Sequence, residues 1–122
     1  MLLKSGGTSA VDDYKCTISG AFQVNSDGAQ VTHALKSYIG GQFTVERSSG
    51  VMAGSLRNMY ATKPIVIDRG SKENSFKVIT TMKTDITSNI YSLTVNEYIE
   101  GDIKPFVFLN NSDVYYGVCV HF

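Results

Sequence analysis

Residues 89–122 carry three β-type runs with almost nothing between them, and no other stretch constrains the fold as tightly. Asn89–Glu100 alternates apolar and polar residues, Gly101-Asp102 interrupts it, and Ile103–Leu109 resumes. Asn110-Asn-Ser-Asp113 then turns the chain into Val114–Phe122. The outer two runs repeat every second residue, the period of a strand with one buried face and one wet face. The middle run is apolar on both faces, Ile103, Val107 and Leu109 on one and Phe106 and Phe108 on the other, so it is expected between its neighbours. Together the runs predict an antiparallel meander.

Upstream segments are expected to extend this sheet or pack on it. Asp13–Ser19 places Tyr14, Cys16 and Ile18 on one face of a strand; Gly20 breaks or bulges it, and Ala21–Val24 continues it before the turn residues Asn25–Gly28. In Ala29–Ile39, the residues Val31, Ala34, Leu35, Tyr38 and Ile39 share one helical stripe, with a capping-box-like Asp27 and Gln30 before them and Gly40-Gly41 after. That spacing predicts a short amphipathic helix. Gln42–Arg47 and Val51–Leu56 flank the polar turn Ser48-Ser-Gly50, a hairpin signal. Arg57–Lys63 reads as a loop, Ile65–Ile67 as a strand opening after Pro64, Asp68–Ser75 as a turn cluster and Phe76–Lys83 as a further strand. The sum is a mainly β chain of about eight strands with one short helix, an antiparallel meander forming a small barrel or a two-sheet sandwich. A meander that curls on its own twist hides its edges, which favours the barrel or half-barrel. Residues 1–10 are expected to be a disordered leader and 11–122 a single β domain.

Eleven basic and eleven acidic residues cancel, so no long-range field draws the chain to phosphate backbones or anionic lipid. No nucleic-acid or membrane role is expected. No apolar run approaches the roughly 18 residues that a bilayer crossing requires.

Motifs that carry chemistry are sparse. Gly40-Gly41 lacks the residues of a phosphate cradle. His33 and His121 have no partner imidazole or thiol pair at zinc spacing; Cys119 shares a strand face with His121, but ordinary strand residues explain the pair, and no metal or cofactor is expected. Cys119-Val-His-Phe122 fits the letter of a prenylation box without an aliphatic third position, and Asn110-Asn-Ser112 is a formal sequon explained by turn propensity. A Cys16–Cys119 disulfide joining the first and last strands would close a loop of about 100 residues. Parity opposes it, because Cys16 alternates with the core residues Tyr14 and Ile18 whereas Cys119 lies opposite the apolar Val118, Val120 and Phe122. Two free buried thiols are therefore the expectation. An exported or periplasmic compartment follows only if the two are bridged, a cytoplasmic one otherwise.

Glu97 stands out because by parity it shares the face of Tyr91, Leu93 and Val95, where a carboxylate is costly unless paired. Either the strand ends near Asn96 and leaves Glu97 wet, or Glu97 anchors a ligand, with Arg47, Arg57 or Arg69 as its partner. Tyr60, Tyr98, Tyr115 and Tyr116 are natural lining groups, apolar in body and polar at the tip. The ligand-binding set expected from sequence is Glu97, Tyr98, Tyr115, Tyr60 and Arg47, in a non-catalytic module that binds a small ligand or a protein. The alternatives are a small hydrolase or isomerase pairing Glu97 with His121 or His33, and a structural homo-oligomer joined through an edge strand.

Overall fold

The computed structural model describes residues 12–122. The expected leader, residues 1–10, lies outside them. The strands are β1 (Tyr14–Val24), β2 (Gln30–Val31), β3 (Gln42–Val45), β4 (Met52–Gly54), β5 (Ile65–Arg69), β6 (Phe76–Lys83), β7 (Ser88–Val95), β8 (Lys104–Asn110) and β9 (Asp113–His121). All pairings are antiparallel, in the order β4-β3-β1-β9-β8-β7-β6-β5, with β2 alongside the end of β1. The sheet curls into a half-barrel. Strands β5 to β9 form an unbroken meander, and β8 lies between β7 and β9 as its two apolar faces require.

The inner face supplies the core. Tyr14, Phe43, Phe76, Leu93, Phe106 and Phe108 are buried there, and side chains fill the interior. On β9 the inward residues are Tyr115, Gly117 and Cys119, while Val118 and Val120 face outward at 39% exposure. This reverses the face assignment made from sequence: the more hydrophobic side of β9 is the wet one. The cause is space. Cβ atoms added at Gly117 would collide with the Thr17 carbonyl and the Phe106 ring, so β1 and β9 approach as closely as they do only because glycine stands there. Gly20, at the register shift that follows Ile18 in β1, likewise lies under the ring of Tyr116.

The same reassignment brings the cysteines together. Cys16 and Cys119 are direct cross-strand partners, both inward, and they form a disulfide spanning 103 residues. The expectation of free thiols is corrected, and so is any metal or lipid chemistry at Cys119, whose sulfur is committed.

The short helix expected within Ala29–Ile39 is present but shorter than the apolar stripe. Gln30 and Val31 pair with β1, and His33–Tyr38 forms a single 3-10 helix in which only Leu35 is buried. Val31 and Ile39 are β-branched residues with little helix preference, and Ile39 leaves in the extended conformation.

The terminal strands β4 and β5 are linked by side chains rather than a ladder. Gly50, at positive φ, sets the β3–β4 turn against Val66 and Val78. The Arg47 guanidinium donates to the carbonyl oxygens of Arg69 (2.8 Å) and Gly70 (3.0 Å). Behind the turn, buried Asn58 donates to the Gly50 carbonyl and accepts from the Met52 amide. These contacts close the seam of the half-barrel.

Candidate functional site

The residues expected to bind a ligand fall into two groups at opposite ends of the sheet. Register fixes this. Tyr14 pairs with His121 and Lys104 with Cys119 at one end, whereas Tyr91 pairs with Asn110, and Asn110 with Asp113, at the other. Glu97, Tyr98 and Arg47 belong to the first end, Tyr60 and Tyr115 to the second.

At the first end Glu97 is mostly buried, and it also lines an open groove. β7 stops at Val95, as one of the two sequence readings requires, yet the carboxylate turns inward. Its Oε1 accepts from the Tyr14 hydroxyl at 2.7 Å and lies 2.9 Å from His121 Nε2. Its Oε2 lies 3.9 Å from Lys104 Nζ. Lys104, 8% exposed, donates to the carbonyls of Glu97 and Ile99 and so pins the loop that follows β7. The His121 ring sits between two acceptors, the Glu97 carboxylate and the Asp12 carbonyl at 3.2 Å from Nδ1; the imidazolium form satisfies both. None of the arginines anticipated as partners pairs with Glu97. Arg47 is engaged across the seam, and its guanidinium carbon stands 5.5 Å from the centroid of the Tyr14 ring. Burial, then the bond to Glu97, pushes the Tyr14 phenol well above its ordinary range despite the opposing Arg47 charge. Glu97 and Lys104 themselves line an open groove of about 530 Å³, together with Lys72, Tyr98, Glu100 and Gly101.

The second end is aromatic. The Tyr38 and Tyr115 rings meet edge-on at 5.1 Å, Phe108 lies 5.9 Å from Tyr115 and stacks on Tyr91, and Tyr60 tilts over Tyr91 at 5.8 Å. Burial first, and the neighbouring Asp113 next, raises the Tyr115 phenol; burial and then Tyr60 raises that of Tyr91. Three of these tyrosines, Tyr38, Tyr60 and Tyr115, converge on one mouth, with Tyr91 behind Tyr60. A depression of about 320 Å³ opens there, lined by Tyr38, Tyr60, Phe108 and Tyr115 with Ser55, Arg57 and Asn110, and its exposed lining is mostly polar. Thr80, paired with Tyr91 on the inner face, carries a buried hydroxyl with no hydrogen-bond partner among the described residues.

Several residues of both ends were missed from sequence. Tyr14 and Tyr91 were assigned inward without a role, and Tyr38 was spent on the helical stripe. Lys104 sits at the same parity as Phe106 and Phe108, a signal that was present and unused. His33 is exposed, far from Glu97 in the fold, and Tyr116 covers Gly20 on the outer face.

Among the described residues no three or more His, Cys, Asp or Glu side chains group as metal ligands, and no helix is long and apolar enough to cross a membrane. Comparison of the chain with known protein families, curated proteins and solved structures finds no match.

Proposed function

We propose that the protein is a non-catalytic binding module whose tyrosine-lined end receives a small ligand. The observation that carries this reading is the convergence of Tyr38, Tyr60 and Tyr115 on one open mouth, with Tyr60 left 62% exposed and resting on Tyr91. A filled interior removes the barrel cavity as a place for a ligand and leaves the rims. Aromatic bodies carrying polar tips, with a few polar groups around them, are the composition of a small-molecule site. The chain contains no Trp, so intrinsic fluorescence reports tyrosine alone. Titration with a library of small polar and aromatic compounds should change that fluorescence, and Tyr60→Ala should abolish the change. A response indifferent to Tyr60→Ala would remove the mouth as the site.

A second reading, a hydrolase or isomerase acting through Glu97 and His121, has one observation in its favour, their contact at 2.9 Å. Against it, Glu97 Oε1 already serves Tyr14 as well as His121, and Oε2 faces the Lys104 ammonium. Those contacts favour a structural role for the cluster. Turnover of an ester or sugar-epimer panel, lost in Glu97→Gln, would support the enzyme instead.

A further inference from the structure

Resting on the binding reading above, we infer that the ligand class of the tyrosine-lined end is a pyranose sugar ring. Such a ring has an apolar face of axial C–H groups and a periphery of hydroxyls that both donate and accept. Tyr60 offers an exposed ring face against which the C–H side can lie, and the phenol tips, the Ser55 hydroxyl, the Asn110 amide and the Arg57 guanidinium surround it. Phenols, hydroxyl and amide are each able to donate and to accept, and Arg57 adds fixed donors, which is the mixture a polyhydroxylated ring requires. The volume of about 320 Å³ corresponds to about ten liquid waters, room for a ligand of about a dozen non-hydrogen atoms, the size of one hexose.

Competing ligand classes fit less well. A quaternary ammonium would seek an aromatic cage, but Arg57 places a fixed positive charge in the lining. A flat apolar molecule would need an enclosed apolar cleft, whereas this mouth is open with a mostly polar exposed lining. A phosphate group would find a single cation, Arg57, among the lining residues.

The test is a calorimetric titration of the whole protein with methyl glucoside, methyl galactoside, N-acetylglucosamine and glucuronate, with indole and phosphocholine as non-sugar probes. At least one sugar should bind with a Kd of about 1 mM, the ordinary strength of a single shallow contact set. Tyr60→Ala, checked by thermal melting to be folded, should weaken that binding about tenfold, the loss of one stacking partner. If indole or phosphocholine binds in a Tyr60-dependent way and no sugar does, the sugar class is overturned while the binding reading stands. If no probe binds, or if sugar binding is unchanged in Tyr60→Ala, both fall.

Discussion

Replacing Glu97 by Leu tests whether the cluster at the Tyr14 end holds the fold together. The carboxylate accepts a charge-assisted bond from Tyr14, which is fully buried. Hydrogen bonds to charged groups contribute about 1.5–3 kcal/mol, and a buried hydroxyl left without a partner costs about 1–3 kcal/mol. The His121 contact is partly exposed, so solvent screening limits it to about 1 kcal/mol at most. Leu removes all of these contacts together, and because the terms overlap we expect a net loss of about 3 kcal/mol. For a chain of 122 residues the unfolding entropy is about 0.26 kcal/mol per kelvin, so Tm should fall by about 12 °C. Urea unfolding followed by tyrosine fluorescence gives the free energy directly. The decisive control is a double-mutant cycle with Tyr14→Phe: once the hydroxyl is gone no orphan remains, and the Glu97→Leu penalty should shrink by about 1.5–3 kcal/mol. A penalty below about 0.5 kcal/mol, or strict additivity in the cycle, would refute the linkage.

Reduction of Cys16–Cys119 releases a loop closed over 103 residues and should cost about 4.7 kcal/mol in the chain-entropy account, lowering Tm by about 18 °C; a melt insensitive to reductant would contradict it. At high pH the sign is set by the raised phenols: Tyr14, Tyr91 and Tyr115 keep their protons in the folded state above the ordinary tyrosine value. Their contribution is complete below about pH 10 and is lost as pH rises beyond it, at up to about 1.4 kcal/mol per pH unit for each tyrosine. Denaturation midpoints between pH 9 and 12 should show this loss, and Tyr14→Phe should flatten it. Asn58→Ala strands the Gly50 carbonyl and the Met52 amide and should destabilise by about 3 kcal/mol. Hydrogen exchange should then rise first at the β3–β4 turn; unchanged exchange there would argue against Asn58 as the support of the seam.

Strand content and order of the meander were legible because hydrophobic patterning is a local signal: β6, β7 and β9 alternate, and β8, apolar on both faces, belongs between β7 and β9. Which side of β9 faces inward was not legible by counting hydrophobic residues. Val118, Val120 and Phe122 outnumber the small inward Gly117 and Cys119, and only the close passage of β1 shows why the small side is inside. The helix was legible in place but not in extent: five apolar residues met a stripe template, yet the β-branched Val31 and Ile39 lie outside the six helical residues His33–Tyr38. Glu97 was correctly singled out by parity, but its partners come from β1, β8 and β9, and side chains up to 83 residues away in sequence carry no local trace of that meeting. The tyrosine mouth was partly legible: Tyr60 and Tyr115 were named, while Tyr38 joins them only through the curl of the sheet.

The pairing of β1 with β9 also dictates the order in which the molecule can be assembled. Strands β1 to β4 form one set of neighbours and β5 to β9 another, and the sheet is continuous between them only along the β1–β9 ladder, in which Cys16 and Cys119 are partners. During synthesis at about 5–20 residues per second, β1 waits about 5–20 s for its partner to be made. In that interval one of its edges is an open row of amides and carbonyls, a template for the wrong strand. The last strand to emerge therefore joins two preformed halves into one sheet, and oxidation of the cysteines marks that the join has been made in the right register.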